Sequence, residues 1–157
     1  MKKILISLAS AAALCGSSMA QADTWSPSGN WQMSGPVTFS KGLTVNCTMT
    51  IDISVASTGS MATGSPQYVG FFCPLFMEGP YLTELQPDGT TLTLHDVVMI
   101  ATLGSGGCSG DLSGQWDNVA KTLTIDTIVP TDTPGTYDCT VHAVLTLNSP
   151  SGGSIVP

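Results

Sequence analysis

The 157-residue chain carries four lysines, no arginine and eleven acidic residues, a net charge of −7. Nucleic-acid binding draws on Lys and Arg to displace counterions, and anionic membranes recruit basic clusters, so the composition speaks against both. The length suits a single domain with a sizeable core.

The N-terminus is the first element. Lys2 and Lys3 precede an apolar run from Ile4 to Cys15, then Gly16-Ser17-Ser18 and Ala20-Gln21-Ala22. This layout predicts a secretory signal peptide over 1–22 with cleavage after Ala22. The run is too short for a membrane span, which needs roughly 20 residues. Leu14 before Cys15 does not fit lipidation, which wants a small residue there. Cleavage would leave 135 residues with Lys41 and Lys121 against eleven acids, a net charge of −9, and with Ser and Thr near a quarter of the chain.

Period-2 patterning then takes over. Trp31 to Phe39 is interrupted by Gly35-Pro36 and is expected as an edge or bent strand. From Leu43 to Val55 every odd position is apolar or Cys and every even one is Thr, Asn, Asp or Ser. That is the pattern of a half-buried strand. Gln67 to Phe72 is a short apolar strand. Thr90 to Leu103 alternates at first and turns continuously apolar from Val97, predicting a bulge near His95-Asp96. Asp111–Trp116 and Lys121–Val129 flank Asp117-Asn118-Val119-Ala120 as a hairpin. Tyr137 to Leu147 alternates again, with Tyr137, Cys139, Val141, Ala143, Leu145 and Leu147 inward. Loops are expected at 57–66, 86–89, 104–110 and 130–135. A Ser/Gly/Pro-rich flexible tail is expected at 148–157. No window shows helical periodicity. The expected fold is all-β: a single-domain antiparallel β-sandwich (Ig-like or Greek-key) or a small barrel over residues 23–147.

Four cysteines remain after cleavage, Cys47, Cys73, Cys108 and Cys139. An even count in an exported chain predicts two disulfides. Three pairings are possible. Cys47–Cys73 and Cys108–Cys139 are favoured, because each closes a loop within one half of the chain.

Catalytic and metal chemistry find little support. His95 and His142 are the only histidines, and no third ligand is marked beside them. Ser109 lies in Gly-Cys-Ser-Gly, without G-x-S-x-G spacing or a following helix. Glu78 and Glu84 give no specific glycosidase signal. The sequence therefore predicts no catalytic residues, no metal and no cofactor. The outstanding feature is an apolar cluster from Phe71 through Leu82. Its candidate interface residues are Phe71, Phe72, Leu75, Phe76, Met77, Tyr81 and Leu82, read either as core or as an exposed patch. Trp25 and Trp31 pose a similar choice between packing on the sheet and pairing with another subunit.

Several short motifs occur in order: Gly35-Pro-Val-Thr-Phe-Ser-Lys-Gly-Leu43, Asn46-Cys-Thr-Met-Thr50, the Gly-Gly-Cys-Ser-Gly ending at Gly110, Gly114-Gln-Trp-Asp-Asn118, Leu123-Thr-Ile125 and Asp138-Cys-Thr140. Together they resemble the small exported activators of alkane oxidation, the PraA/PraB type, across residues 30–147. The resemblance implies an extracellular protein that assists growth on long-chain alkanes, and it brings no catalytic residues. The expected partner is a hydrophobic surface or hydrocarbon, or a second copy of the chain. The expected role is that of a secreted, non-enzymatic accessory protein at a hydrophobic interface. A matrix subunit joined through strand edges is the alternative, and a secreted hydrolase a remote one.

Overall fold

The computed structural model describes residues 23–59, 61–76, 81–85, 89–100 and 106–156. The expected signal segment and Met77 lie outside them. The described residues form strands β1 (Thr24–Ser26), β2 (Gly29–Lys41), β3 (Leu43–Val55), β4 (Ala62–Val69), β5 (Leu75–Phe76), β6 (Tyr81–Leu85), β7 (Thr91–Ile100), β8 (Gly107–Asp117), β9 (Thr122–Val129), β10 (Cys139–Ser149) and β11 (Ser154–Val156), with no helix.

Eight of these strands make a closed antiparallel barrel. In order around the wall they are β2, β3, β4, β6, β7, β8, β9 and β10, and β10 pairs back onto β2. Neighbours in sequence are thus neighbours in space, apart from the closing pair and the skip over β5, which lies beside the end of β7. Of the two expected architectures the barrel holds, and the up-and-down order removes most free edges.

The alternating pattern of β3 puts Cys47, Met49, Ile51, Ile53 and Val55 inside, with Thr48, Asp52 and Ser54 outside. Inward side chains from the other staves meet them, so the interior is a packed core rather than a channel. The expected bulge at His95-Asp96 is present as a register shift between Leu94 and Val97, with Asp96 at φ 55°. The hairpin β8–β9 also forms. The Asp117 carboxylate accepts the N–H groups of Val119 (2.7 Å) and Ala120 (2.8 Å). These two donors, Ala120 first, hold that carboxyl below its usual range.

Four expectations are corrected. β2 is not an edge strand: it pairs with β3 and with β10. Pro36 has no N–H to give, and the Val144 carbonyl comes so close to Gly35 that no Cβ would fit. Gly-Pro here marks a close crossing inside the wall. Residues 62–66 and 107–110, expected as loops, are strand. Tyr137 lies before β10 and is exposed, not inward. The expected flexible tail instead extends β10 to Ser149 and pairs β11 with β1, burying Ile155. That small sheet covers one end of the barrel. There Trp31 meets Trp25 (4.9 Å between ring centroids) and Trp116 (6.0 Å), both edge-on. Trp25 and Trp31 are therefore core.

Candidate functional site

The barrel has two unlike ends. At the tryptophan end, Asn118 ties the cap to the β8–β9 turn by donating to Ile155 O (2.7 Å) and accepting the Ile155 N–H (2.9 Å). The opposite end gathers the last residues of β2, β4, β7 and β9 and the first of β3, β8 and β10. Both disulfides sit there, with the favoured pairing: Cys47–Cys73 and Cys108–Cys139, at Cα separations of 6.0 and 6.1 Å.

A buried lysine organises this end. Lys41 is 8% exposed. Its ammonium donates to Thr131 Oγ1 (2.7 Å), Tyr137 O (2.9 Å) and Gly107 O (3.0 Å), with Cys108 Sγ at 3.4 Å. One side chain thus joins the end of β2, the start of β8 and the β9–β10 loop. Replacing Lys41 by Met should cost about 1–3 kcal/mol, because buried oxygens lose their donor. Urea unfolding checks this, and an unchanged midpoint would refute the clamp.

Around the clamp, large apolar side chains face outward. Phe71 is 84% exposed, Tyr137 74%, Val69 68%, Leu43 55% and Phe72 50%. The rings of Phe71 and Phe72 meet edge-on at 4.7 Å. Phe72 has φ 63°, a left-handed conformation costly for a bulky residue. It lies next to Cys73, which the disulfide pins to β3. The strain and the bridge together present an aromatic pair to solvent. Val69 to Cys73 contains no charge.

The structure divides the apolar cluster expected from sequence. Phe71 and Phe72 form the exposed pair. Leu75 and Phe76 are β5, paired with Ile100 and Met99. Tyr81 is 8% exposed and belongs to the core, because it faces inward from β6 opposite Gly64. Leu82, its neighbour, points outward at 54% exposure, towards the tryptophan end. Leu43, Val69 and Tyr137 were missed as partners of the pair. Leu43 and Tyr137 are far from the pair in sequence and share its end of the barrel only because the β2–β3 turn and the β9–β10 loop finish there. Leu43 and Val69 each adjoin a positive-φ glycine, Gly42 and Gly70.

The candidates for chemistry remain apart. His95 and His142 sit on β7 and β10, which are not adjacent in the barrel. His142 Nδ1 lies 3.9 Å from Asp126 on the outer face. Ser109 donates a short hydrogen bond to Asp132. Among the described residues no three His, Cys, Asp or Glu side chains are grouped to hold a metal. A groove of about 640 Å³ on the outer face of β2–β4 is lined by polar residues including Gln32, Asp52, Ser54, Thr63 and Ser65.

The whole chain, residues 1–157, matches the family described as alkane oxidation protein activator PraA/PraB-like. The chain belongs to this family. No curated protein and no solved structure matches significantly. In this member of the family the frame is a closed eight-stranded meander. In this chain the motif residues cited earlier fall largely on structure: Gly35-Pro36 at the tight β2–β10 crossing, Cys47, Cys108 and Cys139 in the bridges, and Trp116 in the cap.

Proposed function

We propose that this protein is a secreted, non-enzymatic accessory that adsorbs to hydrocarbon through the disulfide end of the barrel. The observation that carries the reading is the edge-on Phe71–Phe72 pair held out at the disulfide end of the barrel, where Leu43, Val69 and Tyr137 are exposed as well. The family's description as an activator of alkane oxidation supports it, as does the export signal read from Lys2 to Ala22. Apolar side chains leaving water for oil gain roughly 1.5–3 kcal/mol each when fully buried. The acidic, hydroxyl-rich wall keeps the rest of the molecule hydrated. The alternative of a matrix subunit joined through strand edges is disfavoured, since the closed barrel leaves only short strands such as β1, β5 and β11 with open sides among the described residues.

The double variant Phe71→Ser/Phe72→Ser should bind hexadecane droplets roughly 100-fold more weakly, corresponding to about 3 kcal/mol. Its unfolding should change little, because Phe71 is largely exposed and Phe72 about half so. Droplet co-sedimentation and pendant-drop tensiometry measure the effect. Equal adsorption of parent and variant would exclude this end as the contact.

A further inference from the structure

A charged triad on the outer wall is unused by the interface reading. β6 contributes Glu84, the bulge in β7 contributes His95, and β8 contributes Asp111. His95 Nε2 lies 2.9 Å from Glu84 Oε2, and its Nδ1 lies 3.1 Å from Asp111 Oδ2. An ionised carboxylate only accepts hydrogen bonds, and a neutral imidazole has one N–H to give. Both contacts are satisfied together only by the imidazolium. Asp111 also accepts the Asp96 N–H through its other oxygen, at 3.2 Å, which fixes the bulge that aims the ring. The charged groups from the three strands are thus Glu84 on β6, Asp111 on β8 and the exposed Asp96 beside the ring on β7. All are acids.

Among the described residues the strand so tied has the fewest paired positions of the barrel staves. β6 has three paired positions with β4, at Ala62–Gly64, and three with β7, at Leu92–Leu94. By contrast β2 and β3 pair from Gly29↔Val55 to Lys41↔Leu43 without a break. Few backbone pairs are one mark of low local stability.

We propose that His95 is a pH-dependent latch: as imidazolium it ties β6 to β8 across β7, and on losing its proton it loosens β6 from the wall. Hydrogen bonding to Glu84 and then to Asp111, partly opposed by burial, holds the imidazole above its ordinary value of 6.5. A folded-state value raised above the unfolded one gives stability that is complete below about 6.5 and is lost as pH rises through the folded value. The loosening therefore comes at the alkaline side. It uncovers backbone of β4 at Ala62–Gly64 and of β7 at Leu92–Leu94.

The test follows the two histidine ring protons and backbone amide exchange by NMR on the folded protein. His95 should titrate above its ordinary value of 6.5. After correction for intrinsic rates, exchange at Thr83 and Leu94 should rise several-fold through the His95 midpoint, while Ile125 in β9 stays flat. His95→Asn should abolish the pH step. Glu84→Gln should lower the His95 midpoint without removing the ring, which keeps the test decisive if His95→Asn folds poorly. A His95 midpoint at or below 6.5, or β6 exchange without a pH step, overturns the latch.

Discussion

Trp31→Ala is expected to lower stability by about 4 kcal/mol, a fall in Tm of roughly 15 °C for a domain of this size. Trp31 is 1% exposed. Its indole touches Trp25 and Trp116, and its Nε1 donates to Pro27 O at 2.8 Å. Gly153 passes so close that an added Cβ would sit 3.0 Å from the ring. Truncation therefore leaves a cavity and removes the platform on which both β1 and β11 rest. The loss should be shared with Trp25→Ala, giving a double variant less damaged than the two singles added. Thermal unfolding and near-ultraviolet circular dichroism provide the check. A loss below about 1 kcal/mol would mean that the cap contributes little packing.

The second large effect is expected from Cys108→Ser/Cys139→Ser. The bridge spans 31 residues, and loop closure in the unfolded chain alone predicts roughly 3–4 kcal/mol. Cys47–Cys73 spans 26, so its entropic contribution is nearly the same. Burial separates the two bridges. Cys108 and Cys139 are fully buried, and Cys108 touches the Lys41 ammonium. Serine hydroxyls there would enter the core beside the clamp. Cys47 and Cys73 lie nearer the surface, and their loss should chiefly release the Phe71–Phe72 turn. Urea midpoints of the two double variants should therefore fall in that order, with the opposite order refuting the assignment. The Cys47→Ser/Cys73→Ser protein should also lose droplet adsorption, since nothing else covalent holds Phe72 in its left-handed conformation.

The strands were most legible where one face meets the core and the other meets water. β3 reads directly from its alternation, and the bulge in β7 reads from the change of period at His95-Asp96. Proline and glycine misled the reading, because their cost in a strand depends on the neighbour. Gly35-Pro36 looks like a break, yet it lies where β10 crosses too closely for a side chain. Pro66 sits inside β4 for a similar reason, with β3 on one side and short β6 pairing beyond it. The terminal strand β11 was hidden because Ile155 and Val156 have no strand-like neighbours until Trp25 arrives from the other terminus. The candidate site was half legible. Phe71 and Phe72 announce themselves as a run, whereas Lys41 reads as one surface lysine among four until the fold surrounds it with carbonyls.

The closing pair has a consequence for the order in which the molecule can be finished. As the chain is synthesised from its N-terminus, each hairpin from β2 onward can form beside the last. β2, however, waits for β10, more than ninety residues downstream. Until then the nascent sheet keeps a long open edge on β2, the kind of edge that recruits strands from other chains. Lys41 at the end of that edge is also without Tyr137 and Thr131. A chain that stalls or ends before Cys139 would therefore present an uncapped edge and an unhoused ammonium, and a truncated product of this protein is expected to aggregate rather than persist as a smaller barrel.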